Sequence, residues 1–316
     1  MANANDVLDG ASRVVCLTAP NPSPLTLEGT NSYLVLGDGE ALVIDPGPAD
    51  ETHVEAIAKL ALANACPVRA IAVTHGHPDH APGAALLGAL TRAPIYAHPA
   101  ASFPFDRALP DGAEIAIGGA ALRAMHAPGH ARDHLVFWFA AEATLFTGDV
   151  IIGRGTVVIA PPDGDMRAYQ ATLRRLRDGF AHIRTIFGGH GEPVRMPAAK
   201  IEEYIRHREA RERQLVAAIA KEERTIPELV TDLYRDVSPA LWPAAARQLL
   251  AYLIALEREG RIRVRTLARA PREHERKILN PDLSHTGDAA GAAVVLAELG
   301  FESGLSGIEA YALLPD

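Results

Sequence analysis

Residues 73–80 place four metal-binding side chains directly after an apolar run. The segment reads Val-Thr-His-Gly-His-Pro-Asp-His and carries His75, His77, Asp79 and His80. Burying a polar group without a partner costs about 2–7 kcal/mol, so something must stabilise this group. Zinc and similar divalent ions bond imidazole nitrogen and carboxylate oxygen. The segment therefore predicts a metal site at the end of a buried strand.

The spacing within the segment favours two ions. His75 and His77 are two residues apart, so in an extended chain they lie on one side and can bind the same ion. Asp79 and His80 follow the bend at Pro78 and can turn toward a second ion. A polar surface loop is the alternative, and four such residues directly after a buried strand argue against it.

Three later segments can complete the ligand set. Each ends a predicted strand in a glycine-containing turn, and glycine lets the backbone approach a site closely. They are His-Ala-Pro-Gly-His, Thr-Gly-Asp and Gly-Gly-His-Gly, presenting His130, Asp149 and His190. Taken singly, each is more typical of a structural turn. Together they supply the number of ligands that two ions require.

Short apolar runs alternate with helical patterns over the first 190 residues. Helices are predicted over 51–63 and 166–177, the second capped by Asp165. A turn at 37–40 joins the first two of the predicted strands, which cover 31–36, 41–44, 68–73, 94–97, 114–117, 121–126, 135–139, 144–147 and 185–187. Hairpins mixed with crossovers indicate an α/β sandwich of mixed sheets.

After residue 197 the pattern changes. A charged helix over 198–221 precedes a helix ending at 234 and another over 244–259, and an alternating strand pair beginning at 261–265 completes a winged helix-turn-helix pattern. We expect a catalytic domain over 1–197, a winged-helix-like domain over 198–270 and an extension of unknown role over 271–316. The extension contains an alanine-rich helical patch at 289–299.

Composition restricts the class of protein. The 316 residues are 48 % hydrophobic and 22 % charged, which is ordinary for a globular chain. The N-terminus lacks the features of a signal peptide, and no apolar run is long enough to span a membrane. The two cysteines, Cys16 and Cys66, lack CxxC spacing. We expect a cytoplasmic protein with no membrane segment.

The motif set resembles the metallo-β-lactamase superfamily. It comprises HxHxDH at 75–80, HAPGH at 126–130, TGD at 147–149 and GGHG at 188–191, preceded by "GTNSYLV" and "ALVIDPGP". The segments "HAPGHARDHLVF", "PPDGDMRAYQATLRRL" and "LYRDVSPALWPAAARQLLAYLIALEREGRI" are similar to the lactamase-β-2-like branch, over about residues 14–265. The resemblance implies a four-layered αββα sandwich followed by a small winged-helix-like α domain.

The same resemblance implies a role for each motif residue. Two divalent metal ions, preferably zinc, would be held, with iron and manganese as alternatives. The first would be bound by His75, His77 and His130, the second by Asp79, His80 and His190, and Asp149 would bridge them. His134 would line the pocket. His126 would either support the ligands from behind or be an ordinary strand residue.

The function implied is a metal-dependent hydrolase. Water between two divalent ions is acidified to hydroxide near neutral pH and can attack a carbonyl carbon or a phosphorus. We expect Asp79 to orient this water and to assist proton transfer. The expected substrate is a small molecule, namely an ester, thioester, lactone or similar compound.

Other functions remain open from the sequence. An endoribonuclease would use the same metals on single-stranded RNA, with phosphates contacting arginines of the winged-helix segment: Arg261, Arg263, Arg265 and Arg269. The net charge of +3 over 200–270 is mild, and the rest of the chain carries −11, which disfavours RNA. A mononuclear iron dioxygenase and a non-catalytic winged-helix binding protein are further alternatives. A homodimer is the expected assembly.

Overall fold

The computed structural model describes residues 13–180, 182–279 and 308–314. Two sheets pack face to face. The first is antiparallel from β1 to β3 and parallel from β3 to β6. Its six strands, in spatial order, are β1 (Val14–Thr18), β2 (Asn31–Leu36), β3 (Ala41–Ile44), β4 (Val68–Ala72), β5 (Ile95–Ala97) and β6 (Arg107–Ala108).

The second sheet has five strands and is antiparallel except for its last pair. These are β7 (Glu114–Ile117), β8 (Ala120–His126), β9 (Leu135–Phe139), β10 (Thr144–Gly148) and β11 (Thr185–Gly188), in the order β11-β10-β9-β8-β7. Only β10 and β11 run parallel. The predicted strands are confirmed, whereas β1 and β6 are additional.

Helices cover the outer face of each sheet. Helices α1 (Glu51–Ala63) and α2 (Gly83–Thr91) pack on the first sheet, and α3 (Met166–Gly179) and α4 (Pro197–Lys221) pack on the second. Asp165 caps α3 by accepting from the backbone N–H groups of Arg167 and Ala168, as the sequence predicts. The chain is therefore the expected four-layered αββα sandwich.

Alternation of apolar side chains builds the layers. Along β2, Tyr33 and Val35 point into the core between the sheets, while Leu34 points toward α1 and α2. The Tyr33 ring lies 5.3 Å from the Phe146 ring and 5.4 Å from the Phe187 ring. Because both faces of the strand are covered, its last four residues, Tyr33 to Leu36, form a continuous apolar run.

The C-terminal part is a winged helix that shares one core with α3 and α4. Its helices are α5 (Ile226–Leu233), α6 (Trp242–Arg258) and α7 (Glu273–Leu279). Its antiparallel sheet has the order β12-β14-β13, formed by β12 (Arg224–Thr225), β13 (Ile262–Thr266) and β14 (Glu309–Leu313). Short 3₁₀ turns occur at Ala140–Glu142 and Pro239–Leu241.

The origin of the wing differs from the sequence expectation. The sequence predicts a strand pair local to 261–265 and assigns no role to the extension. Instead β13 pairs with β14, which the extension supplies from the far end of the chain. The alanine-rich patch at 289–299 lies outside the described residues. Among the helices that the structure describes, none is both long and apolar enough to cross a bilayer.

Candidate metal centre

The predicted ligands come from four segments that follow strands. The segment after β4 carries four of them, and one each follows β8, β10 and β11. The structure brings all seven together, and only His77 is partly exposed, at 13 % of its side chain. The set comprises His75, His77, Asp79, His80, His130, Asp149 and His190.

Three ring nitrogens converge at one end of the cluster. His77 Nδ1 lies 2.9 Å from His75 Nε2 and 3.0 Å from His130 Nε2. Three imidazole nitrogens facing one point are the donor set that binds zinc in many proteins. This group matches the first predicted ligand set.

A second group lies beside the first. Asp79 Oδ2 is 3.3 Å from both His80 Nε2 and His190 Nε2. Asp149 stands between the two groups, with Oδ2 3.3 Å from His190 Nε2 and 3.7 Å from His130 Nε2, and Oδ1 3.5 Å from His80 Nε2. Asp149 therefore contacts histidines of both groups.

The opposite ring nitrogens fix the tautomers. His130 Nδ1 donates to the carbonyl oxygen of Val158 at 3.0 Å, and His190 Nδ1 donates to that of Gly29 at 3.2 Å. A carbonyl oxygen only accepts, so in these two rings the proton lies on Nδ1. Burial lowers the pKa of His130, so its Nε2 turns a lone pair toward the cluster, as ligation of a metal requires. Burial would lower the pKa of His190 too, but Asp149 and Asp79 raise it to about 10, so a bound metal would have to replace the proton on its Nε2.

Buried polar atoms without hydrogen-bond partners indicate whether divalent ions fit this site. Asp79 Oδ1, His80 Nε2 and Asp149 Oδ1 are buried and form no hydrogen bond with any described residue. Leaving three such atoms unpaired would be costly. His80 Nε2 and Asp149 Oδ1 lie 3.5 Å apart inside the cluster and are of the atom types that a metal ligates, so the residues present fit divalent ions.

The charges of the cluster also favour a cation. Burial alone would lower the pKa of His80, but Asp79, Asp149 and Asp45 raise it well above its usual value. Burial would raise the pKa of Asp149, but His190 and His80 hold it well below its usual range. The carboxylates thus stabilise positive charge at this point.

Two supporting residues, Asp45 and Thr30, were missed from the sequence. Asp45 accepts from the Thr74 backbone N–H at 2.7 Å, from the Thr74 hydroxyl at 2.7 Å and from His80 Nδ1 at 2.9 Å. Thr30 donates to Asp79 Oδ2 at 3.0 Å. The Asp-Pro-Gly sequence after β3 is typical of a turn. The only sign that Asp45 could support the site is its place at the end of β3, next to the end of the parallel strand β4 that the ligand segment follows.

The two further histidines occupy different places. His134 is fully buried behind His75, with the rings stacked at 4.6 Å, and its Nε2 accepts from the Asp149 backbone N–H at 3.1 Å. It supports the ligands and does not line an open pocket. The His126 ring stacks on His98 at 4.0 Å and bonds the Arg132 carbonyl oxygen, outside the cluster.

The winged-helix arginines mostly contact acidic side chains. Arg261 pairs with Glu212 and Glu259, Arg265 with Glu223, and Arg269 with Glu275. Arg263 is exposed on β13. An RNA phosphate would have to displace a carboxylate at three of these four positions.

Gly129 sets the approach of His130. Its φ is +132°, and a Cβ atom there would lie 2.3 Å from the Tyr169 backbone. We expect Gly129→Ala to lower the free energy of unfolding by roughly 3 kcal/mol or more in urea denaturation, because both strain and overlap are introduced. Gly155→Ala is the control, since φ is +73° there but no described atom lies within 4 Å; roughly 1 kcal/mol is expected. Equal losses would contradict the role of the close contact.

Comparison with known proteins identifies the family. The family model described as "Metallo-beta-lactamase superfamily" matches residues 25–190, which is more than half of the chain and contains all seven clustered residues. The chain belongs to the metallo-β-lactamase superfamily. A second model, "Beta-lactamase associated winged helix domain", matches residues 225–267.

Curated relatives extend the superfamily assignment over most of the chain. A "Beta-lactamase-like protein 2 homolog" of Drosophila melanogaster is 31 % identical over 274 residues, covering 80 % of this chain and 90 % of the relative. An "Atrochrysone carboxyl ACP thioesterase" of Aspergillus chevalieri is 34 % identical over 217 residues, covering 68 % of each chain. This superfamily member is a metal-dependent hydrolase.

Solved structures of the superfamily show the same fold. A metallo-beta-lactamase family protein from Thermus thermophilus superposes with a TM-score of 0.67 at 23 % identity, covering 82 % of this chain and 97 % of that one. A beta-lactamase domain protein from Burkholderia ambifaria gives 0.69 at 20 % identity, covering 83 % and 89 %. At this identity the likeness concerns the fold alone.

Proposed function

We propose that this chain is a binuclear zinc-dependent hydrolase that cleaves small acyl thioesters. The observation that supports it is the convergence of a three-histidine group and an Asp/His/His group on either side of Asp149, with buried polar atoms that form no hydrogen bond with any described residue. In this proposal His75, His77 and His130 hold one ion, and Asp79, His80 and His190 hold the other. Two divalent ions at this place would supply an acidified water and polarise the substrate carbonyl.

Asp79 is the residue that we assign to the attacking water. Thr30 donates to its Oδ2 and His190 Nε2 lies 3.3 Å from the same atom, whereas its Oδ1 is buried without a hydrogen-bond partner among the described residues. A carboxylate oxygen held in this way can orient a water molecule and accept its proton. Asp45 in turn keeps the His80 ring from turning.

A groove of about 670 Å³ next to the cluster provides room for the acyl group. One wall is the segment 161–167, and the other is the apolar face of α6, including Leu250, Ala251 and Ile254. Asp163 lines the groove, and its Oδ2 lies 3.9 Å from His77 Nε2. Asp163 thus links the groove to His77, the most exposed residue of the cluster, although none of the seven clustered residues lines the groove itself.

The thioester is chosen over other small substrates because of the relatives. Two of them are named as acyl-carrier-protein thioesterases, at 31 % and 34 % identity. The apolar α6 wall suits an acyl chain.

A substrate panel tests the proposal. Zinc-loaded protein is assayed with acyl thioesters, a lactone and single-stranded RNA, following thiol release, ring opening and strand cleavage. We expect thiol release to dominate and to be lost with the metal. Cleavage of RNA alone would favour the nuclease, and no turnover of any substrate by metal-loaded protein would contradict a hydrolase of this class.

Filling the groove tests where the acyl group lies. Ile254→Trp is expected to raise KM roughly tenfold for a long-chain thioester, because the larger side chain would keep about two methylenes of the acyl chain from being buried. At ~0.8 kcal/mol for each methylene, this loss corresponds to about a tenfold lower affinity. The KM of an acetyl thioester is expected to stay within about twofold. Ile254→Leu, which retains the volume, is the control. An equal change in KM for both substrates would place the acyl chain elsewhere.

A further inference from the structure

One peptide group connects the winged helix to the metal cluster. The carbonyl oxygen of Val158 accepts from His130 Nδ1 at 3.0 Å. The backbone N–H of Ile159, in the same peptide group, donates to Gln248 Oε1 on α6 at 3.1 Å. Because a peptide group is planar, its C=O and N–H cannot turn independently. The side chain of Gln248 therefore sets the direction of the carbonyl that meets His130.

Arg208 of α4 fixes the same connection from a second side. Its Nη1 donates to Gln248 Oε1 at 2.8 Å, and its Nη2 donates to the Val157 carbonyl oxygen at 2.6 Å. Two donors facing one oxygen leave a single orientation for the Gln248 amide. Arg208 is 2 % exposed and Gln248 is 5 % exposed, so water cannot substitute readily for either contact.

We propose that Gln248, held by Arg208, is a positioning residue for His130. The winged helix then contributes to the metal centre through this peptide group, holding His130 in the tautomer and orientation that direct Nε2 at the cluster. Outer partners of ligating histidines change metal affinity about 10- to 100-fold. The proposal rests on the proposed role of His130 as a metal ligand.

Gln248→Met tests this role because it retains length and removes the acceptor. Zinc affinity is measured by chelator competition, and the tautomer of His130 is read in the metal-free protein from long-range ¹H–¹⁵N NMR, assigned with His130→Gln. We expect about tenfold weaker binding of one zinc ion, at the lower end of the range for outer partners, and loss of the single Nδ1–H form. The tautomer is read without metal, so the two claims can fail separately. A wild-type protein that binds no zinc would refute the metal site, whereas an unchanged His130 tautomer in Gln248→Met would refute the positioning role.

Two further variants separate positioning from general stability. Tyr252→Phe removes a buried hydrogen bond of 3.0 Å between α6 and the Arg208 carbonyl oxygen without touching residues 157–159, and we expect wild-type zinc affinity and tautomer. Gln248→Glu keeps an acceptor oxygen, so we expect it to retain the zinc affinity and the His130 tautomer of the wild type. This variant tests the proposal even if Gln248→Met does not fold. Equal zinc affinity and tautomer in Gln248→Met and Tyr252→Phe, or no restoration by Gln248→Glu, would overturn the proposal.

Discussion

Replacing His77 with alanine is expected to lower the rate of thioester hydrolysis about a thousandfold. His77 Nδ1 is the atom at which the first three ring nitrogens meet, within 3.0 Å of both neighbours. Metal ions contribute several kcal/mol to such reactions, and each ~1.4 kcal/mol corresponds to a tenfold change in rate. The kcat/KM of purified His77→Ala is compared with that of the wild type at saturating zinc.

The position of His77 makes this variant informative. Its side chain, at 13 % exposed, is the most exposed of the seven, so its removal disturbs buried packing less than removal of any other predicted ligand would. His98→Ala is the matched control, because His98 stacks on His126 outside the cluster; its kcat/KM should stay within about twofold. A His77→Ala variant as active as His98→Ala would exclude the first metal position from the reaction.

Replacing Asp45 with alanine is expected to lower the free energy of unfolding of the metal-free protein by roughly 3–5 kcal/mol. Asp45 accepts three hydrogen bonds, from two groups of Thr74 and from His80, and is 2 % exposed. Each buried donor left unpaired costs about 1–3 kcal/mol. Its φ of +50° adds strain for alanine. Urea denaturation after chelation measures this loss without a contribution from bound metal.

Asp50→Ala provides the comparison for Asp45→Ala. Asp50 caps α1 through one hydrogen bond, from the His53 backbone N–H at 3.0 Å, and loss of such a cap costs about 1 kcal/mol. In titrations of the folded protein, Asp45→Ala should also bind zinc about 10- to 100-fold more weakly, because the His80 ring loses its anchor. Similar stability losses in the two variants would refute the central position of Asp45.

Local sequence patterns predicted an α/β sandwich of mixed sheets and a metal site after β4, whereas the four layers and the role of each ligand came from the resemblance to the metallo-β-lactamase superfamily. Strand β4 is apolar except for the exposed Arg69 and is followed, after Val73, by polar residues. The predicted ligands follow β4 of the first sheet and β8, β10 and β11 of the second sheet. Asp45 was missed because its partners, Thr74 and His80, are 29 and 35 residues away, and a buried acceptor there looks like an ordinary turn residue.

Long-range pairing limited the prediction of the C-terminal part. The partner of β13 is β14, which lies more than 40 residues further along the chain, so no local pattern marks it. The arginines in and just before β13 alternate with apolar residues, which is typical of a strand with one face in solvent. In the structure, however, Arg261 and Arg265 contact glutamates that are distant in sequence. Gln248 carries no motif, and its role depends on a peptide group 89 residues away.

Metal content is the most direct test of the two-metal centre. Elemental analysis is performed on wild-type protein purified without added metal and again after dialysis against zinc. The proposed centre predicts about two zinc ions per chain, as in other two-metal sites, and a lower content in His77→Ala. Absence of bound metal after zinc dialysis, or a single iron per chain, would contradict it.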